Sequence, residues 1–135
     1  MNIKKKFIEY KDGEDHLEGF MAWDADANEP RPGILVGHAW AGRSEFECSK
    51  AEDLAKLGYV GFALDVYGKG IIGKNKEENA KLMTPFIEDR STLQKRLQLA
   101  LNALKEQDEV EANNLASIGY CFGGLMSLDL ARINA

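Results

Sequence analysis

The residues best suited to chemistry lie in Gly119-Tyr120-Cys121-Phe122-Gly123-Gly124. A nucleophile with glycine two residues to either side marks a strand-to-helix turn. The turn is so tight that the central residue takes a strained backbone conformation and its side chain projects from the top of a sheet. The glycines remove Cβ atoms that would collide with the crossing chain. Such a turn also puts the side chain at a helix N-terminus, where the dipole and unpaired N–H groups favour an anion. For a thiol the anion is the reactive form. In a chain with 13 glycines the spacing alone is a weak signal, and a buried core cysteine is the plain alternative. The context strengthens it. Leu115-Ala116-Ser117-Ile118-Gly119 is a short apolar run that ends at the motif, and Leu125, Leu128, Leu130 and Ile133 begin a helical pattern just after it.

A second loop fits the same plan. His38-Ala39-Trp40-Ala41-Gly42 follows the apolar run Gly33 to Gly37. In folds built on this turn, one oxyanion-hole amide belongs to the residue after the nucleophile and the other to a loop after an earlier strand. Those donors would be the N–H groups of Phe122 and of Trp40 or Ala39. Losing one such donor typically costs ~3 kcal/mol of transition-state stabilisation. His38, Ala39, Tyr120 and Tyr67 are expected to line the same site. The only histidines are His16 and His38. His16 sits beside a turn pattern and reads as solvated surface. His38 ends a strand, where supporting the loop by hydrogen bonding is the first reading and acting as a base the second.

These loops need a sheet to hold them. Gly33 to Gly37, Tyr59 to Leu64 and Leu115 to Gly119 are continuously apolar and short, the pattern of strands buried on both faces of a parallel sheet. Helical patterns separate them, as parallel crossovers require. Ser44 and Glu47 have capping-box spacing. Ala51, Leu54, Ala55 and Leu57 follow on one face, and Gly58 stands where the helix would end. Ser91 and Gln94 repeat the capping spacing ahead of Leu93, Leu97, Leu101 and Leu104, a stripe read as core. Asn75 to Phe86 holds a shorter helix. Before all of these, Ile3 to Tyr10 and Leu17 to Trp23 flank Lys11 to Asp15 and read as an antiparallel hairpin, and Asp24 to Pro32 reads as a loop. The order β-β-β-α-β-α-α-β-α describes a hairpin feeding a mostly parallel, doubly wound sheet in three α/β/α layers. Ligands bind such sheets beyond the carboxyl ends of the strands, just after Gly37, Leu64 and Gly119.

The chain of 135 residues is one domain or part of one. Its 44% hydrophobic and 29% charged residues fit a globular protein. A net charge of -5 gives no electrostatic ground for a nucleic-acid partner, and Lys4-Lys5-Lys6 is too short to be more than a solvated strand or arm. No apolar run approaches the ~20 residues of a membrane span, and no apolar segment follows the basic N-terminus as a signal peptide requires. Cys48 and Cys121 are too few for a disulfide scaffold and lack metal-site spacing. A reducing cytoplasm is therefore the expected location. The absence of G-x-G-x-x-G after the first parallel strand, of a P-loop and of C-x-x-C argues against a nucleotide-binding or redox domain.

The chain resembles the dienelactone hydrolase family of α/β-hydrolases. The matching residues are Gly119 to Gly124, Ile34 to Gly42, and Leu57-Gly58-Tyr59-Val60-Gly61-Phe62-Ala63-Leu64-Asp65-Val66-Tyr67-Gly68. The resemblance implies hydrolysis of a small-molecule ester or lactone by a Cys-His-Asp triad, without metal or organic cofactor. Cys121 would be the nucleophile and Phe122 and Trp40 the oxyanion-hole donors. Two departures stand out. Ala39 occupies the place of a glutamate that dienelactone-opening members carry before the oxyanion residue. The family's aspartate and histidine follow the nucleophile, whereas this chain stops fourteen residues beyond Cys121. Arg90 and Arg43 are the candidates for the arginine that binds a substrate carboxylate in the family. The expected architecture is thus the N-terminal part, residues 1–135, of a single α/β-hydrolase domain truncated after the helix that follows Cys121. Its nucleophile strand would be an exposed apolar edge, to be covered by self-association or a second chain. A catalytically inactive remnant acting in binding or assembly is the competing expectation.

Overall fold

The structure, a computed structural model, describes residues 1–135. Strands β1 (Ile3–Asp12) and β2 (Asp15–Asp24) form the hairpin, and β3 (Arg31–Gly37) begins the parallel part. Helix α1 (Glu45–Lys56) leads to β4 (Val60–Ala63). Helices α2 (Lys76–Glu88) and α3 (Arg90–Lys105) lead to β5 (Val110–Gly119), and α4 (Phe122–Arg132) follows. The sheet order is β1-β2-β4-β3-β5. β2 pairs antiparallel with β1 and β4, while β3 lies parallel between β4 and β5.

Side-chain alternation along the strands sorts the core into two layers. Met21, Leu35 and Phe62 face the buried leucines of α3 together with Met126 and Leu130 of α4. Phe20, Ala22 and Ala63 face Ala51 and Ala55 of α1. The α1 layer is built of small residues because that helix lies against the strand itself. A Cβ added at Gly61 would stand 2.3 Å from the Ala51 carbonyl oxygen.

Ser44 and Glu47 close the expected capping box on α1. The helix expected over 75–86 is present and runs on through Pro85 to Glu88. The cap expected from Ser91 and Gln94 is replaced. Asp89 ends α2 and caps α3, accepting from the Thr92 N–H and the Ser91 hydroxyl. The break between the two helices falls at Asp89, so Ser91 already lies inside the first turn. Strand β5 starts earlier than its apolar run, and residues 112–114 slip out of register opposite the Pro32/Gly33 junction.

Helices α3 and α4 are tied by charge. Asp129 on α4 is fully buried and accepts from both Arg90 and Arg132. The Arg90 hydrogen bond, reinforced by Arg132, holds the Asp129 carboxyl below the ordinary carboxylate range against the opposing effect of burial. A depressed folded-state pKa gives stability that is present above the unfolded value of 3.8 and lost as pH falls through the folded value. Arg90→Met should therefore destabilise the chain at pH 7, because the buried Asp129 carboxylate would lose its main partner. The gap between the urea midpoints of the two proteins should narrow as pH falls below 3.8 and through the folded value. A gap that does not change with pH would remove Asp129 from the account.

Candidate functional site

Strand β3 is the switch point of the sheet. Its outgoing helix α1 packs on one face, and α4, leaving β5, packs on the other. The two connections diverge beyond the carboxyl ends of β3 and β5, the place where such sheets bind ligands. Cys121 stands there, exposed and unpaired as a thiol, at the N-cap of α4. Its φ of 59° with ψ of -116° is a conformation that side chains rarely adopt.

Close backbone packing enforces that conformation. A Cβ at Gly119 would lie 2.0 Å from the Gly123 carbonyl oxygen, and one at Gly123 would lie 2.1 Å from the Gly37 carbonyl oxygen. Strand β3, the end of β5 and the start of α4 thus meet through three glycines. The Gly123 N–H donates to the Tyr120 carbonyl and the Gly124 N–H to the Cys121 carbonyl, each at 2.9 Å. The turn is closed by its own backbone, with the Phe122 N–H next to the thiol at the first position of the helix.

His38, the first residue after β3, is fully buried. Its Nε2 accepts from the Val66 N–H at 3.2 Å, so the ring proton resides on Nδ1, which donates to the Ala39 carbonyl at 2.8 Å. Burial pushes its pKa down, outweighing the bond to Ala39 and the nearby carboxylates of Asp65 and Glu47. The ring is a neutral strut with both nitrogens engaged.

The loop after β4 completes the arrangement. The buried Asp65 carboxylate accepts from the N–H groups of Tyr67 and Gly68 through Oδ1, and from that of Glu18 through Oδ2, each at 3.0 Å. The Val66 carbonyl accepts from the buried Arg96 at 2.7 Å. The Tyr67 hydroxyl donates to the Trp40 carbonyl at 2.8 Å. The Tyr67 ring lies 4.8 Å from that of His38 and 6.2 Å from that of Phe122, centroid to centroid. The loops after all three parallel strands therefore touch one another.

Of the residues expected from the sequence, Cys121, Phe122, Trp40, His38, Ala39 and Tyr67 lie in these three loops. Tyr120 turns outward, its ring edge-on to Phe46 in the first turn of α1. Arg43 is bound to Glu18 and to the Cys48 sulfur and lies over the Phe7 ring. Arg90 is bound to Asp129, so both arginines are engaged in structural pairs. His16 is exposed on the hairpin, as expected. Asp65 was missed as an organiser of the site. Its signal is an acidic residue directly after an apolar strand, a place where loop N–H groups need an acceptor. No group of three or more His, Cys, Asp or Glu side chains is placed to hold a metal ion, and no helix is long and apolar enough to cross a membrane.

Known proteins share this arrangement. A family model described as the dienelactone hydrolase family matches residues 17–135. Over 105 residues the chain is 29% identical to a probable 2-oxo-3-(5-oxofuran-2-ylidene)propanoate lactonase of Bradyrhizobium sp, covering 77% of this chain and 42% of that protein. Among solved structures it superposes on m3DLH with a TM-score of 0.96 at 34% identity, covering 100% of this chain and 56% of that one. A dienelactone hydrolase-like promiscuous phosphotriesterase, P91, from metagenomic libraries matches with a TM-score of 0.96 at 32% identity and the same coverage. The chain thus spans about half the length of these relatives.

Proposed function

The chain belongs to the dienelactone hydrolase family, and on that premise we propose that it is the nucleophile-bearing part of a carboxylic ester or lactone hydrolase that works through an acyl-enzyme on Cys121. The observation that carries this reading is the positive φ of Cys121 at the three-glycine junction, which leaves an exposed free thiol at a helix N-terminus. In the reaction the Cys121 thiolate attacks the acyl carbon. The carbonyl π pair moves onto oxygen, where the N–H groups of Phe122 and Trp40 receive it. Collapse of the tetrahedral intermediate expels the alkoxide, which takes a proton from solvent, and leaves a thioester; water then hydrolyses the thioester to the carboxylic acid and returns the Cys121 thiol.

The second half of that cycle needs a base to activate water. His38 is the histidine nearest the site in sequence and fold, and both its nitrogens are engaged. On this reading the residues of this chain support acylation and leave deacylation slow, because neither histidine is free to activate water. This same feature favours the second reading, a remnant used for binding or assembly. The test is incubation with p-nitrophenyl acetate followed by mass analysis. A single acetyl group on the Cys121 peptide is expected, and a chain that stays unmodified sinks the hydrolase reading in favour of the remnant.

The cytoplasmic location and the partner belong to this proposal too. β5 pairs only with β3 and leaves its outer edge open. Ala116 and Ile118 are exposed on the side that α1 does not reach. On the other side an open groove of about 490 Å³ is lined by Leu101, Leu115, Leu130 and Ala135. An apolar edge of this kind attracts another strand, from a second copy or a separate chain. The chain alone should elute above its monomer mass at micromolar concentration, and Ile118→Lys should shift it toward monomer. A compact monomer for the unsubstituted chain removes this part of the proposal.

A further inference from the structure

The geometry points to Tyr67 as a positioning residue of the oxyanion hole, a role that rests on the acyl-enzyme reading of Cys121. A peptide unit is planar and trans, so its N–H points opposite to its C=O. The Trp40 N–H shares a plane with the Ala39 carbonyl. That carbonyl accepts from His38 Nδ1 at 2.8 Å and from the Gly42 N–H at 3.1 Å. One side of Trp40 is therefore fixed by the strut described above. The other side, the Trp40 carbonyl, accepts from the Tyr67 hydroxyl at 2.8 Å. Held at both carbonyls, Trp40 cannot rotate, and its N–H keeps one direction.

Tyr67 also reaches the second donor. Its ring lies 6.2 Å from that of Phe122 with the planes 19° apart, and the Phe122 N–H is the donor next to Cys121. A single side chain thus touches both residues whose amides receive the developing charge. Tyr67 is itself anchored. Asp65 Oδ1 accepts from its N–H, and Phe86 packs against its ring at 5.8 Å. Burial raises the pKa of its hydroxyl, which therefore keeps its proton and stays a donor at neutral pH. Preorganised donors are effective in proportion to how little they must reorient during reaction, and Tyr67 supplies that constraint from outside the reacting atoms.

Tyr67→Phe keeps the ring and removes only the bond to Trp40. Two reactions of the same thiol then separate positioning from general structure. Acylation of Cys121 by p-nitrophenyl acetate passes through an oxyanion, whereas alkylation by iodoacetamide does not. In Tyr67→Phe the single-turnover acylation rate at saturating ester should fall about tenfold. The half-saturating ester concentration and the alkylation rate should stay within about twofold. An unchanged acylation rate overturns the role of Tyr67, and so does a parallel fall in both reactions, which marks a merely structural effect. Absence of acylation in the unsubstituted chain overturns the acyl-enzyme reading and this inference with it. Unchanged acylation in Tyr67→Phe beside normal acylation in the unsubstituted chain overturns this inference alone.

Discussion

Cys121→Ser is expected to abolish the p-nitrophenolate burst as completely as Cys121→Ala does, while Cys48→Ala retains it. The change is from a stoichiometric burst per chain to the uncatalysed background. A thiol holds a few per cent of its nucleophilic anion at neutral pH, whereas a hydroxyl holds essentially none and depends on an adjacent base. Neither histidine of this chain is free to be that base for residue 121. His38 donates through Nδ1 and accepts through Nε2, and His16 is on the hairpin surface. The exchange of one atom, sulfur for oxygen, should therefore be as damaging as removing the side chain. Cys48 is the internal control. It is half-buried and hydrogen-bonded by Arg43, and burial pushes its thiol pKa up despite that bond. A Ser variant that still gives a burst would reveal a base at the site. A burst lost on Cys48→Ala would move the nucleophile.

The contrast between these two thiols was legible in the sequence only in part. The glycine spacing around Cys121 announces a tight turn, because only missing Cβ atoms permit the backbone contacts seen among Gly37, Gly119 and Gly123. Nothing near Cys48 announces Arg43, whose placement depends on Glu18 from a distant strand. The same division runs through the site. His38 and Tyr67 could be picked out by position after apolar strands. Their partners Val66 and Trp40 could not, since these bonds join loops 28 and 27 residues apart. Asp65 shows the limit most clearly. It organises three N–H groups, two in its own loop and one in β2, and the bond to β2 follows from tertiary proximity rather than from period or spacing.

For the fold, periodicity found every strand and helix, and its failures have local causes. The apolar run of β5 marks only its second half, because the first half slips out of register with β3 and is exposed, so that polar Glu111, Asn113 and Asn114 bear no burial cost. The cap of α3 was misplaced by two residues because Asp89 and Ser91 are both good caps. The choice between them was made by where α2 stopped. Arg90 and Arg43 looked like free cations in the sequence and are structural pairs in the fold. Charge partners across elements carry no sequence signature.

Gly123→Ala should destabilise the chain by ~3 kcal/mol or more, whereas Gly124→Ala, one residue along, should be neutral or stabilising by up to ~1 kcal/mol. The new methyl at position 123 would stand 2.1 Å from the Gly37 carbonyl oxygen and 2.5 Å from its carbon. Both are backbone atoms of the central strand, so no rotamer change relieves the overlap. Relief requires α4 to lift from β3, and that movement uncovers Met126 and Leu130. At position 124 the nearest atom is 3.8 Å away, an ordinary contact, and alanine is the better helix former. A domain of this size has ~5–15 kcal/mol in hand, so Gly123→Ala should survive in water with a clearly lower urea midpoint. The same lift would relax the φ of Cys121, so its acylation should fall along with stability even under conditions where the variant is folded. Equal midpoints for the two alanine variants would mean that the three-glycine junction does not set the approach of α4 to the sheet. The strained placement of the thiol would then need another cause.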